Sequence, residues 1–543
     1  MLLILAGCYD GVDAAIVDTD AAATGGAGPG GGAQGGDAST GGENEPLPEA
    51  DRGSPGVRML TQREYRNSVE DLLGVALPLG DIPREAMVEG HGHIASAQGI
   101  GLTETEQFYE LGLSAAQTWA ASARPGCEVN DRACAESLAA DVLERAFRRP
   151  VGEEERARYL GLLDTPAAGE STRERLETLV AAALSSGHFL YRRELGGEAV
   201  VGRPGARWLD DYEIATRMSY LVWQSLPDDA LLAAAEAGEL ADPAQRSAQL
   251  QRMLADPKAG RGQLGFAYDW LGAEGAATVA DKNPEVLDGT TTALSDSVAD
   301  SLARTTIEAL TGGSFAGLLD TTTWWADVEV AAVVGADVEG EAQPIVLGPE
   351  RAGLLMHPAV IAAHTKESGA SPFTIGDFLA HNVLCQPLGS PLELPPFDAS
   401  DDPDATLRER LEMLTEPPEC QFCHQIIGPP GFAFLAFDPI GRHSEADGLG
   451  RPFDTTGTVP VGEDVISFES AADLSRQLAT HPATARCLAR RLFRWTYGYF
   501  ESDAVESQVV DLEVAAVDTQ TQVGAVLDAL VTDDAFVQVL KGE

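Results

Sequence analysis

Basic residues are scarce in this chain, and their scarcity argues against one class of partner. Only 37 of the 543 residues are Lys or Arg, against 85 Asp or Glu, so the formal net charge is -48. A protein that binds nucleic acid needs a basic face for the phosphates. We therefore expect no nucleic-acid partner, and we interpret the acidity as a well-solvated surface.

Long hydrophobic runs are also missing, although 44% of the residues are hydrophobic. No later segment approaches the roughly 18 consecutive apolar residues of a membrane span. The first residues, MLLILAGC, form a short apolar run that ends as a bacterial lipoprotein signal does. Residues 20–50 are rich in Gly and Ala and nearly without bulky apolar side chains, so they cannot offset the entropy of ordering. We expect a signal over residues 1–8 with a lipidated Cys8, a disordered tether over 9–56, export to the cell envelope, and membrane contact through the lipid anchor only.

Cysteine is rare as well, with 7 in the whole chain. An even number remains once Cys8 is set aside, which suits an oxidising compartment. The remaining six are Cys127, Cys134, Cys385, Cys420, Cys423 and Cys487.

The spacing of the cysteines suggests how four of them pair. Cys127 and Cys134 flank a short polar loop, CEVNDRAC, and we predict a local disulfide between them. If the two cysteines of the segment PECQFCHQ serve another purpose, Cys385 and Cys487 are left for each other. That second pairing is reached by elimination and not from geometry.

The segment PECQFCHQ contains the strongest chemical signal, Cys420-x-x-Cys423-His424. A covalent haem c needs two thiols about one helical turn apart and an imidazole beside them for the iron. In a chain of this composition, chance predicts roughly 0.0015 occurrences. A zinc site would need a second Cys/His pair nearby, and a thioredoxin-like pair would need a βαβ setting, and neither is present. Haem attachment and a simple disulfide remain open.

The second iron ligand is less clear than the first. All seven Met residues precede the motif, so the downstream Met of an ordinary small cytochrome c is missing. The distal candidates are His443, His357 and Met356, with His481 as a further histidine, or the position is open.

Other chemical signals are weaker. His91-Gly92-His93 could hold a metal, but an HxH without a placed carboxylate is usually a surface feature. The Trp324-Trp325 pair is most simply explained as core or interface packing, although paired Trp side chains could stack on sugar rings. No G-x-S-x-G, Walker loop or H-E-x-x-H is present, so no catalytic residue is nominated.

Hydrophobic periodicity predicts a mainly α-helical fold with minor β structure. Thr61 and Glu64 form a capping box ahead of a helix that stops at Gly74, and similar periods recur along the chain. The strand candidates are 327–335 and 343–347. Composition shifts predict four folded regions: an N-terminal helical domain (57–200), a central helical domain (201–347), a cytochrome-like C-x-x-C-H domain (348–464) and a C-terminal helical domain packed on it (465–543).

Several segments together resemble cell-envelope proteins of planctomycetes and myxobacteria that consist of domains of unknown function with a C-terminal cytochrome c-like module. The similar segments are RMLTQREYRNSVEDLLGV (58–75), CAESLAADVLERAFRRPVGEEE (134–155), SSGHFLYRREL (185–195), WLDDYEIATRMSYLVWQSLPDDALLAAAEAGEL (208–240), RMLADPKAGRGQLGFAYDWLG (252–272), RAGLLMHPAVIAAH (351–364), CQFCHQIIGPPGFAFLAFDPIGRH (420–443) and ARCLARRLFRWTYGYF (485–500). The resemblance implies an exported, mainly helical multidomain protein whose C-x-x-C-H carries haem c.

The leading hypothesis is a lipid-anchored c-type cytochrome-like protein. Cys420 and Cys423 would tether one haem, His424 would be the proximal ligand, and the role would be electron transfer to a redox protein partner or a haem-dependent oxidoreductase reaction. The rival is a non-catalytic surface binding or scaffold protein, for a polysaccharide or a protein partner, in which the C-x-x-C is a disulfide. The sequence names no substrate.

Overall fold

The computed structural model describes residues 56–88, 91–122, 128–164, 169–273, 279–287, 293–367, 369, 371–386, 388 and 405–541. The molecule is 56% helical, and its strands are few and short, so the predicted fold class, mainly α with minor β, is confirmed. The predicted lipidation site Cys8, the tether and Cys127 lie outside the described residues. Within the described ranges, no helix has the length and apolar character needed to cross a bilayer.

Most of the secondary structure in the described residues is helical. They are α1 (Gln62–Leu73), α2 (Leu102–Ala121), α3 (Arg132–Phe147), α4 (Glu153–Leu160), α5 (Thr172–Leu184), α6 (Gly187–Leu190), α7 (Asp211–Val222), α8 (Asp229–Glu236), α9 (Pro243–Leu254), α10 (Ala259–Leu271), α11 (Leu294–Leu310), α12 (Gly317–Asp320), α13 (Val328–Val334), α14 (Pro358–Ala363), α15 (Pro372–Phe378), α16 (Leu407–Leu414), α17 (Pro418–Phe432), α18 (Ala471–Thr480), α19 (Pro482–Tyr497), α20 (Glu506–Asp518) and α21 (Val523–Thr532). A short π-helix, Leu379–Val383, continues α15.

The strands pair antiparallel, two by two. They are β1 (Val57–Met59) with β2 (Tyr191–Arg193), β3 (Ala206–Trp208) with β8 (Gln538–Leu540), β4 (Thr323–Ala326) with β5 (Gln343–Val346), and β6 (Gly457–Val461) with β7 (Asp464–Phe468). In the second pair Ala206 lies opposite Leu540. This pairing holds residues 538–540, near the C-terminus, against residues 206–208.

Local sequence determines where many helices begin and end. The Thr61–Glu64 capping box is present at the start of α1, and Gly74 ends that helix in the left-handed conformation at φ 70°. The predicted strand 343–347 corresponds to β5, but the predicted strand 327–335 is wrong, because these residues form α13. Its Asp327 side chain accepts from the first backbone N–H groups and Gly335 closes the helix, so the end signals prevail over the β-branched residues between them.

Two clusters of buried apolar side chains hold the fold together. The first contains residues between Met59 and Leu190, together with Tyr220 and Leu226 from α7 and the loop after it. The second runs from Ala206 to Leu540 and so is shared by the central, C-x-x-C-H and C-terminal parts of the chain. This cluster includes Ala433 and Phe434, which directly follow the helix that carries the C-x-x-C-H motif.

A buried chain of charges joins the two clusters. Arg192 donates to Glu64 over 3.2 Å and to Glu194 over 3.3 Å, Arg217 reaches Glu194 over 2.5 Å, and Arg58 lies 3.6 Å from Glu64. Burial raises the pKa of Glu64. Removing one member would leave its partner's charge buried without compensation, so the network fixes the arrangement of its elements.

Candidate functional site

The C-x-x-C-H motif lies at the start of α17. Pro418 occupies the first turn of that helix, where its missing N–H costs nothing. Cys420, Cys423 and His424 then follow at positions i, i+3 and i+4, so they share one face of the helix. Cys420 is buried, and the other two are half-buried. The helix therefore presents two sulfurs and one imidazole on the same face. The C-x-x-C-H spacing in the sequence indicates this arrangement.

The two cysteines of the motif carry thiols. Burial and the nearby Asp377 carboxylate raise the pKa of the Cys423 thiol. A redox-active C-x-x-C depends on the opposite, a thiol whose pKa is lowered so that the thiolate can attack. The raised pKa favours the protonated form of the Cys423 thiol.

His424 lies in apolar surroundings. Its ring meets the edge of Phe373 with the ring centroids 4.2 Å apart, and burial lowers the pKa of the imidazole. The Nδ1 atom is buried and has no hydrogen-bond partner among the described residues. Buried polar atoms in folded proteins are nearly always paired, so an isolated one calls for an explanation.

Helix α15 packs against α17 with backbone touching backbone. A methyl group added at Gly376 would overlap the carbonyl oxygen of Ile427, and one added at Gly431 would overlap that of Pro372. Glycine is what permits so close an approach of two helices. The contact places Phe373 against His424.

The π-helix after α15 is fastened to α19. Cys385, just beyond the π-helix, forms a disulfide with Cys487 of α19. Arg491 of α19 donates to the His381 carbonyl over 3.0 Å and to Asn382 Oδ1 over 2.7 Å. The pair reached by elimination from the sequence is thus the one that the structure joins. Cys134 is also disulfide-bonded, while its predicted partner lies outside the described ranges.

His357 and Met356, two of the predicted distal ligands, are fully buried. His357 caps α14, since its Nδ1 accepts from the Ala359 N–H over 3.2 Å, and its Nε2 lies 3.0 Å from Ser301 Oγ. Burial lowers the pKa of His357 to about 3. Both ring nitrogens of His357 already have hydrogen-bond partners in this fold.

His443, the third distal candidate, is half-buried beside Phe437, with the ring centroids 5.2 Å apart. Arg351 lies over the same Phe437 ring and donates to the Met356 carbonyl over 3.2 Å. The three candidates therefore gather around Arg351. In the described part of the chain, the ring contact of His424 is with Phe373 and not with any of them.

The HxH pair is buried, contrary to the expectation of a surface feature. His91 Nδ1 lies 3.0 Å from Asp269, and its Nε2 lies 2.7 Å from Arg491 Nη1. His93 packs edge-on against Trp495, with ring centroids 3.9 Å apart. No group of three metal-binding side chains occurs within the described ranges. His91 therefore links α10 to α19 as a structural residue. Its partners Asp269 and Arg491 are far away in sequence, so no local pattern indicates this role.

The donor set at the start of α17 fits a covalently attached haem. Two thiols and a neutral imidazole lie on one helix face, and the buried Nδ1 of His424 has no hydrogen-bond partner among the described residues, unlike the ring nitrogens of His91 and His357.

Four consecutive segments of the chain match family models. These are PSD3, Protein of unknown function (DUF1587), residues 58–121; PSD5, Protein of unknown function (DUF1595), 134–194; PSD4, Protein of unknown function (DUF1592), 209–335; and PSCyt3, Protein of unknown function (DUF1588), 351–447. No curated protein matches the chain, and no solved structure matches it. The chain is a multidomain protein whose segments match four families of unknown function, and its C-x-x-C-H motif lies in the PSCyt3 segment.

Proposed function

We propose that the chain is a c-type cytochrome-like protein of the cell envelope that carries one haem c at the start of α17. The observation that carries the proposal is the placement of Cys420, Cys423 and His424 on one helix face, with the Nδ1 of His424 buried and unpaired as far as the described residues go. The name PSCyt3, printed for the family that matches residues 351–447, hints in the same direction.

Each residue of the motif has a distinct part in this proposal. Cys420 and Cys423 would form thioethers to the two vinyl groups, and His424 would give the iron its proximal nitrogen. Bound in this way, haem c supplies one-electron redox chemistry. Phe373 packs against the imidazole, and the close backbone contact between α15 and α17 at Gly431 and Pro372 holds Phe373 in place.

The environment of His424 favours the neutral ligand form. Burial lowers the pKa of this imidazole, so its lone pair is available at neutral pH. His443 remains a predicted second ligand, and an open position remains the alternative. We further propose a lipid anchor at Cys8 and a redox protein partner, neither of which bears on whether haem is attached.

The test is expression of the full chain in a periplasm together with a c-type haem ligation system. We expect a pyridine haemochrome spectrum of haem c and an intact mass increased by one haem. His424→Ala should change the visible spectrum of the attached haem because the iron loses its proximal nitrogen. His188→Ala serves as the matched control, since His188 is a half-exposed histidine that pairs with Glu155, away from the motif in sequence.

The outcomes separate the two hypotheses. Covalent haem whose spectrum responds to His424→Ala and not to His188→Ala supports the proposal. A folded chain without covalent haem contradicts it and favours the rival, a binding or scaffold protein in which Cys420 and Cys423 form a disulfide.

A further inference from the structure

A cavity of about 320 Å³ opens between α19, α20 and α21, in a part of the chain outside the four matched segments. Its volume is that of a small-molecule pocket, since such pockets begin at about 300 Å³. Phe493 and Leu530 supply apolar wall, and Tyr497, Gln508, Asp511 and Asp533 supply polar groups. This mixture is typical of a site that encloses an apolar body and orients a polar end.

Tyr497 is a largely buried residue in the lining of the cavity. It is only 5% exposed, lines the cavity, and its hydroxyl makes no hydrogen bond to the described residues. Its ring is held in place by Phe493, with centroids 4.7 Å apart, and by the Arg217 guanidinium 5.1 Å from the ring centroid. Nothing in the described part of the chain pairs with this hydroxyl, so it is available to a molecule in the cavity.

Two carboxylates in the lining add negative charge. Asp533 is half-buried and Asp511 is exposed at the rim, and neither forms an ion pair with the described residues. The charged residues in the lining itself, Asp511 and Asp533, are both acidic. The guanidinium of Arg203 lies outside the lining and donates to Gln538 Oε1 over 2.6 Å.

The wall that carries Asp533 is rigid before any ligand arrives. Arg246 is fully buried behind it and donates to the backbone carbonyls of Val531, Thr532 and Asp533. Asp533 Oδ1 accepts from the Ala535 N–H over 2.7 Å and so caps the short 3₁₀ helix Asp534–Val537. Preformed walls reduce the entropy that a ligand must lose on binding.

We propose that this cavity binds a small organic cation, an amine with an apolar body, whose ammonium group lies between Asp533 and Asp511 and whose body contacts Phe493 and Leu530. The Tyr497 hydroxyl supplies a further hydrogen bond to the polar end of the ligand. The site is independent of the proposed haem attachment.

The probe for the test is phenethylamine, compared with its neutral isostere 2-phenylethanol, by isothermal titration calorimetry on the full chain at neutral pH and low salt. We expect saturable binding of the amine, at least about tenfold tighter than that of the alcohol, because only the ammonium pairs with the carboxylates. Asp533→Asn should weaken the amine about tenfold while still capping the turn, since Asn is as good a cap as Asp.

Three more variants complete the design. Tyr497→Phe keeps the ring packing and should weaken binding a few-fold, and Ala529→Trp should abolish it by filling the cavity that Ala529 lines. Asp518→Asn, an exposed carboxylate at the end of α20 outside the lining, is the matched control and should leave affinity unchanged. Equal affinity for amine and alcohol, no saturable binding, or equal losses for Asp533→Asn and Asp518→Asn would overturn the proposal.

Discussion

The cysteine pairs Cys385–Cys487 and Cys420–Cys423 are held in different ways. Cys385 and Cys487 are 102 residues apart in sequence, sit on different elements and form a disulfide. Cys420 and Cys423 are three residues apart on one helix and carry thiols. The first pair closes a long loop, and the second places two sulfurs beside an imidazole.

The difference shows what each pair is suited for. A disulfide that closes a long loop stabilises mainly by restricting the unfolded chain. A pair one helical turn apart closes almost no loop and offers little stabilisation of that kind. We therefore assign stability to Cys385–Cys487 and attachment chemistry to Cys420 and Cys423.

The largest expected effect is on the second pair. Cys420→Ser with Cys423→Ser should abolish covalent haem completely, because no thiol remains on that helix to form a thioether. The urea midpoint of the apo protein should be nearly unchanged. Pyridine haemochrome spectra and urea unfolding followed by circular dichroism check both parts. A variant that retained covalent haem would contradict the assignment.

Removing the Cys385–Cys487 disulfide should lower stability and leave haem attachment intact. Cys385→Ser with Cys487→Ser should lower the free energy of unfolding by about 4–5 kcal/mol, as expected for opening a loop of 102 residues. Covalent haem should be retained when the variant is kept below its unfolding midpoint. Urea unfolding without reductant measures the loss. An unchanged midpoint would show that the disulfide does not carry the stability assigned to it.

A smaller effect is expected at the contact between α15 and α17, the helix that carries the C-x-x-C-H motif. Gly431→Ala should destabilise by up to about 3 kcal/mol, because the new methyl group overlaps the Pro372 carbonyl oxygen between α15 and α17. Gly428→Ala, on the same helix, is the control, since its methyl group would meet Phe432 at an ordinary 3.4 Å. Thermal unfolding compares the two. Equal effects would argue against the close helix contact.

The smallest expected effect concerns pH and the helix that carries Cys487. Burial lowers the pKa of His93 to about 3, and the ring packs on Trp495 of α19. Between pH 6.5 and about 3 the unfolded chain binds a proton at His93 that the folded chain does not, so stability falls as pH falls. His93→Phe should lessen the loss of stability between pH 7 and pH 5 by about 2 kcal/mol. Urea unfolding at the two pH values measures it, and an identical pH dependence would contradict the buried neutral state.

Local features were predictable from the sequence, and distant contacts were not. The caps of α1 and the mainly helical class could be read from spacing and end signals, because those interactions lie within a few residues. The strand predicted over 327–335 from its alternating pattern is wrong, because Asp327 and Gly335 begin and end a helix there. Those two end signals lie in the sequence and indicate α13.

The same distinction applies to the candidate site. The order of Cys420, Cys423 and His424 on one face follows from helical spacing alone. The burial of His91 could not be predicted, since Asp269 and Arg491 lie 178 and 400 residues away in sequence. Likewise, nothing local indicates that His357 has partners for both ring nitrogens, because Ser301 lies on another helix.

The most direct test of the account is to locate haem on the chain by mass spectrometry. Trypsin should release the motif within a single peptide, residues 411–442, and the disulfide cysteines in other peptides. From the chain made with a haem ligation system, the account predicts that peptide 411–442 carries one haem through both cysteines and that Cys385 remains bonded to Cys487. Recovery of peptide 411–442 from folded protein without haem, its two cysteines joined in a disulfide, would contradict the central claim.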